Sequence, residues 1–478
     1  MTDRIDHLER IARGLEPDGK ERASLVDATV SYADRFLEAI YDLPAFRAMK
    51  EPGIGLLESP VGESPLDLDS LLKILRENVD EPGLNPASGG HLGYIPGGGI
   101  YHSALADYLA DVTNRYAGVY FAGPGAVRME NLLINWMAQI AGYPPSAGGN
   151  LTSGGSISNL SGIVAARDAV GPKSADVVRS PIYLTAQAHH SVEKAIRIAG
   201  LKECPLRFVP MDERYRMDAR ALEGLIAADT SAGLHPWLIV ASAGTTDTGA
   251  IDPLEEIAGI AKRHGLWFHI DGAYGAFFIL CDEGKRLLKG MELSDSLVMD
   301  PHKGLFLPYG TGAVIVREKK ALYDAFWYQA NYLQDARRSA GELSPADLSP
   351  ELTKHFRGLR LWLPLKLLGL APFRAALEEK LLLARYFHEK VQGIDGFEAG
   401  AYPDLSVVTF RYVPRRGDAN AFNQKLLNEI HRDGRVFLSS TMIDGVFTLR
   451  VAVLCFRTHR ATIDLALEIL REKSQMLK

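Results

Sequence analysis

Between residues 86 and 325 the chain repeats one pattern: a short apolar run, a few small or charged residues, then a stretch with helical apolar spacing. The runs Ile182–Thr185, Leu206–Val209, Trp237–Ser242, Leu266–Ile270, Ser296–Met299 and Gly312–Val316 read as strands. Between them Ile157–Asp168, Ser191–Ile198, Ala219–Ala228 and Pro253–His264 read as helices, and Met129–Ile140 reads as another ahead of them. Near-continuous apolar strands alternating with helices have few ways to bury both faces. The pattern predicts an α/β fold whose mostly parallel sheet is covered by helices on each side. In such sheets the loops at the carboxyl ends of the strands carry the chemistry.

The flanking segments have a different texture. Residues 1–85 read as amphipathic helices broken at Glu51-Pro52-Gly53 and Glu81-Pro82-Gly83, an arm suited to packing on a neighbour or a partner subunit. The large domain is taken as 86–365, including a polar segment at 326–355 that is too long to be an idle loop. Residues 366–478 read as a small α+β domain, with strands at Ser406–Tyr412, Val436–Ser439 and Val446–Val453 and helices at Asn420–Arg432 and Ala461–Lys473.

Composition narrows the function classes. A formal net charge of −6 argues against a nucleic-acid partner or an anionic membrane surface. The three cysteines, Cys204, Cys281 and Cys455, are far apart and odd in number, which argues against a disulfide framework or a Cys-based zinc site and for a reducing compartment. The polar N-terminus lacks the apolar core of a signal peptide, and no uncharged run approaches the roughly 20 residues that span a bilayer. The expectation is a cytoplasmic protein with no membrane partner and no metal.

Five stretches at strand ends carry candidate chemistry. Thr152-Ser153-Gly154-Gly155-Ser156-Ile157-Ser158-Asn159 opens a helix, and glycines at a helix N-terminus let backbone N–H groups approach an anion closely. It is neither a Walker loop nor a dinucleotide fingerprint. Gln187-Ala188-His189-His190 offers an imidazole that can stack on a ring and exchange protons. Gly244-Thr245-Thr246-Asp247 supplies hydroxyls. His269-Ile270-Asp271-Gly272-Ala273-Tyr274 and Asp300-Pro301-His302-Lys303-Gly304 then place a carboxylate and an amine at two successive strand ends, with Pro301 read as a helix stop before a loop lysine. A carboxylate beside a pyridine nitrogen keeps that nitrogen protonated, and a protonated ring is an electron sink; a lysine forms an imine with a carbonyl. Taken singly, these stretches are also explained as an N-cap, a polar turn or a surface salt bridge. Their occurrence in order, each at a strand end, favours one pyridoxal phosphate site.

These motifs, with Phe356-Arg357-Gly358-Leu359-Arg360 and Leu449-Arg450, resemble the group II pyridoxal-phosphate-dependent amino-acid decarboxylases, which act on aromatic amino acids, tyrosine, tryptophan, histidine or glutamate. The resemblance runs from about His91 to Thr458. It implies the fold of aspartate aminotransferase and a homodimer with the active site at the interface. It further implies Lys303 as the Schiff-base lysine, Asp271 as the ring-nitrogen partner, and His189 as the stacked residue that also meets substrate. Gly155, Ser156 and His302 would hold the phosphate, with Thr246, Ala273 and Asp300 lining the cofactor. Relatives carry a mobile loop whose tyrosine protonates the α-carbon, and Tyr332 matches it. Relatives that make an aldehyde typically have phenylalanine there or a replaced histidine, so amine formation is expected. An aldehyde synthase and a carbon–carbon lyase of the sphingosine-phosphate-lyase type are the alternatives. Three positions depart from the family pattern: Gly97-Gly98-Gly99 where larger side chains usually touch substrate, Ile157 for Glu, and Gly304 for Trp. Gly97 and Gly98 are therefore expected to bear on substrate. Tyr94, Tyr101, Tyr120 and Phe121 favour an aromatic or bulky one.

Overall fold

The computed structural model describes residues 1–328 and 342–478. Seven strands form the large sheet: β1 (Gly148–Thr152), β2 (Ile182–Leu184), β3 (Leu206–Phe208), β4 (Leu238–Ser242), β5 (Trp267–Asp271), β6 (Ser296–Met299) and β7 (Gly312–Val316). Their spatial order is β1-β7-β6-β5-β4-β2-β3. Neighbours from β6 through β3 are parallel, whereas β7 runs antiparallel to both β6 and β1. Every residue of β1, β2, β4, β5, β6 and β7 is buried; only the edge strand β3 is partly exposed. Burial on both faces is why these strands read as apolar runs rather than alternations.

β1 is the strand that the apolar pattern misses. Its sequence, Gly148-Gly149-Asn150-Leu151-Thr152, lacks an apolar run, because the carbonyl oxygen of Val314 lies 2.0 Å from where a side-chain carbon of Gly149 would sit. Close backbone approach, not side-chain packing, seats this strand. A buried ion pair ties it to the covering helix Pro124–Ile140. The Lys354 ammonium lies 2.6 Å from Glu130 and donates to Asn150 Oδ1 at 2.9 Å.

The C-terminal sheet is antiparallel, built from Phe397–Ala399, Val407–Tyr412, Val446–Ala452 and Ser439–Ile443 in that spatial order. Its expected strand at Val436–Ser439 is displaced: the regular strand starts at Ser439, and Phe437 instead bridges His91 in parallel. Leu92 then donates to the Phe437 carbonyl at 2.9 Å and its own carbonyl accepts from Ala452 at 2.7 Å, so this segment is held against the C-terminal sheet. The helix Ala371–Val391, which the boundary at 365 assigns wholly to the small domain, packs into both cores: Phe373 and Leu377 join the large core, whereas Phe387 and Val391 join the small one. At the N-terminus the helices Thr2–Ala12, Gly19–Glu38 and Leu68–Leu75 contain no buried residue. Among the described residues no helix is long and apolar enough to cross a membrane.

Removing one member of a buried ion pair strands the other charge, at about 3–5 kcal/mol. Lys354→Met is therefore expected to lower the unfolding free energy obtained from urea titration by an amount of that order, whereas the paired change Lys354→Met with Glu130→Leu recovers much of the loss.

Candidate active site

The parallel strands β2, β4, β5 and β6 end at one edge of the sheet, and the antiparallel pairing of β7 brings its first residue, Gly312, opposite Thr152 at that same edge. Four strand-end segments and the Gly-rich loop thus converge on one cavity of about 260 Å³. That is close to the lower limit of ligand pockets, roughly 300–1,000 Å³, and suits a single substituted ring with a phosphate better than a dinucleotide.

The floor of the cavity begins at Gly154, whose φ of 150° is open to glycine and strained for other residues. It caps the helix Gly155–Val170, and Gly155 and Ser156 present the first turn of that helix to the cavity. The Gly155 N–H donates to Asp300 Oδ2 at 3.1 Å. His302 lies alongside, its Nδ1 2.6 Å from the Thr311 carbonyl. A carbonyl only accepts, so that nitrogen carries the proton. Burial pushes the His302 imidazole below its ordinary pKa.

The lysine reading needs one correction. Pro301 does not stop a helix; it opens one, at the first position of the single turn Pro301–Gly304, where its missing N–H costs nothing. Lys303 sits within that turn, and its Nζ is 3.4 Å from Asp300 Oδ2. Asp300 is almost wholly buried.

Asp271 ends β5 and lines the cavity together with Ala273. One carboxylate oxygen accepts from the Ala273 N–H at 3.1 Å and the other from Asn159 Nδ2 at 2.9 Å. His189 caps the helix His190–Ile198, with its Nδ1 2.7 Å from Ser191 Oγ. Burial lowers its pKa, opposed by the nearby Asp271 carboxylate. Thr246 lines the cavity from the loop after β4, and a residue on the C-terminal sheet holds that loop: Arg450 donates to the Thr246 carbonyl, to the Asp247 carbonyl at 2.7 Å and to Ser439 Oγ at 2.9 Å.

Of the residues expected at the site, Gly155, Ser156, His189, Thr246, Asp271, Ala273, Asp300, His302 and Lys303 share this cavity. Gly97 and Gly98 do not line it. A side-chain carbon on Gly97 would lie 2.2 Å from the His302 carbonyl oxygen, so this glycine lets its loop pack behind the Lys303 turn. Gly98 lines a separate cavity with Phe36, Leu84 and Pro308. Gly304 has a similar local reason, because Phe277 Cβ is 2.6 Å from where its side chain would begin. Tyr332 lies outside the described residues. Asn159 and Ser191 line the same cavity, and Ser296 lies within hydrogen-bond reach of His269 behind it. Their signal is the polar His269 inside a doubly buried strand, which requires hydrogen-bond partners.

The sequence profile of the family described as the pyridoxal-dependent decarboxylase conserved domain matches residues 54–413. An aromatic-L-amino-acid decarboxylase of Bacillus atrophaeus is 33% identical over 438 residues, spanning 87% of this chain and 90% of that protein. This chain belongs to the pyridoxal-dependent decarboxylase family. A phenylacetaldehyde synthase of Petunia hybrida is 29% identical over 456 residues, covering 90% of each protein. A crystal structure of Oryza sativa TDC with PLP and tryptamine superposes with a TM-score of 0.91 at 26% identity, covering 97% of this chain and 99% of that one. The enzyme is accordingly a pyridoxal-phosphate-dependent amino-acid decarboxylase, and the cavity offers that cofactor an amine, a carboxylate and a helix N-terminus. The arrangement of donors fits the group.

Burial sets a pH dependence. His269, beside Asp271 in β5 and fully buried, is pushed down to about 4 by loss of solvation. Its folded-state value lies below that of a free imidazole, so its contribution to stability is complete above about pH 6.5 and is lost as the pH falls toward 4. His91, also pushed down to about 4 by burial, acts in the same direction. Urea titrations across this range should show a steeper acid-side decline for the wild type than for His269→Gln, the difference isolating His269.

Proposed function

We propose that this decarboxylase converts an L-amino acid with an aromatic or bulky side chain to the corresponding amine and carbon dioxide. The observation that carries this reading is the meeting of Lys303, Asp271 and His189 in one cavity with the Gly154–Ser156 helix start. Pyridoxal phosphate, when bound, supplies a protonated ring that accepts the electrons left when the α-carboxylate departs.

The remaining work falls to the chain. The Lys303 amine would hold the cofactor covalently until the substrate's amine takes its place, and Asp271 would keep the ring nitrogen protonated. The N–H groups and positive end of the helix beginning at Gly155, with Ser156 and His302, hold the phosphate. Thr246, Ala273 and Asp300, which line the cavity, would surround the ring, and His189 would stack on it. Tyr332 donates the proton to the α-carbon, assisted by His189, and a positioned donor of this kind is worth about 10²–10⁴ in rate. The aldehyde synthase among the relatives makes the competing outcome concrete, and the presence of both His189 and Tyr332 favours the amine.

A homodimer with the active site at its interface is part of the proposal. Ile5, Leu8, Ile11 and Val30 on the N-terminal helices are exposed, as are Tyr94, Tyr101 and Phe121 near the large domain. None of the three aromatics lines the cavity of this chain, so a neighbouring copy is the natural body for them to meet. Three free, buried cysteines suit a reducing, cytoplasmic compartment.

Two experiments decide the reading. A panel of L-amino acids assayed for carbon dioxide and amine should show turnover of aromatic substrates; turnover of acidic or diamino substrates alone would refute the aromatic assignment. Lys303→Ala should abolish turnover, and Tyr332→Phe should lower amine formation by roughly 10²–10⁴ while the ratio of aldehyde to amine rises.

A further inference from the structure

Trp267, His269 and Asp271 alternate along β5 and so project from one face. That face meets the helix Gly155–Val170, where Gly162 leaves room for the His269 ring: a side-chain carbon there would lie 2.7 Å from His269 Cε1. A hydrogen-bond chain links the three residues. Trp267 Nε1 donates to Ser296 Oγ at 2.8 Å, Ser296 Oγ is 2.7 Å from His269 Nδ1, and His269 Nε2 is 2.9 Å from Asn159 Oδ1. Asn159 Nδ2 donates to Asp271 Oδ2 at 2.9 Å and also to Ser191 Oγ at 3.0 Å, and Ser191 Oγ is 2.7 Å from His189 Nδ1. All of these groups except His189 are buried.

Donor counting leaves one polarity. An indole nitrogen only donates and a carboxylate only accepts. Asp271 can only accept, so the Asn159 amide nitrogen faces it and Asn159 Oδ1 is left to accept from His269. His269, pushed down to about 4 by burial, is neutral at pH 7. Its one proton is therefore on Nε2 and is donated to Asn159 Oδ1. The two N–H bonds of the Asn159 amide then point to Asp271 and Ser191. Ser191 in turn places its hydroxyl proton on His189 Nδ1, so the His189 proton sits on Nε2. His269 Nδ1 is left to accept from the Ser296 hydroxyl, which itself accepts from Trp267. Reversing the His269–Asn159 link would set the Asn159 carbonyl against the Asp271 carboxylate, two acceptors face to face.

We propose that Trp267, Ser296, His269 and Asn159 form a one-way relay that positions the Asp271 carboxylate and, through Ser191, locks His189 in its Nε2–H tautomer. This deepens the proposed function and rests on the roles given there to Asp271 and His189. The relay supplies Asp271 Oδ2 with a fixed donor. It also leaves His189 with a donor at Nε2, the form that can deliver a proton to the reacting carbon or to Tyr332. Asn159 and Ser191 are positioning residues.

The test is nitrogen NMR of ¹⁵N-histidine-labelled protein, first without cofactor. At pH 7 the wild type should show His269 and His189 as neutral Nε2–H rings. Asn159→Ala removes the acceptor facing His269 Nε2, so the His269 signal should become a mixture of tautomers, whereas Trp267→Phe leaves the Asp271 end intact and the tautomer unchanged. Ser191→Ala cuts only the branch: His189 should lose its single tautomer while His269 is unchanged. In Asn159→Ala the dissociation constant for pyridoxal phosphate, read by absorbance titration, should rise about tenfold, the scale of one hydrogen bond to a charged group. A proton on His269 Nδ1 in the wild type, or a His189 tautomer indifferent to Ser191→Ala, would overturn the relay. Failure of the underlying reading looks different: Asp271→Asn would bind cofactor and turn over normally while the tautomers of the cofactor-free protein stayed as assigned.

Discussion

The direction of four strands governs everything at the site. Because β2, β4, β5 and β6 run parallel, His189, Thr246, Asp271 and Lys303 are delivered to one edge from positions more than a hundred residues apart. The antiparallel β7 adds the Gly-rich loop to that edge by pairing its own start with the end of β1. A parallel sheet cannot form without helical crossovers on its faces, so the same topology that gathers the chemistry also buries it. Burial in turn makes each polar group there dependent on a partner, and the partners are supplied from the helices that cover the sheet.

Two couplings follow from that dependence. Asp271 is held from behind by Asn159, one turn into the helix whose first turn faces the cavity, so the carboxylate and that helix end are parts of one rigid unit. Arg450 reaches from the C-terminal sheet to the carbonyls of Thr246 and Asp247, so the small domain holds a loop of the large one. Buried hydrogen bonds of this kind are stronger than their exposed counterparts and expensive to leave unmade. The site is thereby sensitive to changes well outside the residues that touch the cavity.

Much of this was legible in the residue order. The apolar runs for β2, β4, β5, β6 and β7 placed the strand ends, and the motifs at those ends placed the nine cavity residues. Legibility failed where backbone, not side chains, decided the packing. β1 carries two glycines because a neighbouring carbonyl occupies the space of a side chain, and Gly97 is glycine for the same reason behind the Lys303 turn. From sequence, the Gly97–Gly99 loop invites a substrate role; in three dimensions Gly97 is a contact between backbones. Pro301 likewise reads as a stop when seen alone and as a start when its turn is seen. The strand expected at Val436 shifted because Phe437 pairs with the distant His91, a partner no local pattern announces.

What the sequence determined by itself was the fold class, the family and nine of the residues that meet in the cavity. Those depend on periodicity and on short motifs, which are local and survive without coordinates. The tertiary structure decided which donors face which acceptors. Trp267, Ser296, Asn159 and Ser191 lie on separate elements and share no motif, yet burial brings them within hydrogen-bond distance of His269, Asp271 and His189. Protonation and orientation at the site are properties of that shared buried volume, where every proton must find an acceptor, and no single stretch of the chain contains enough of it to show them.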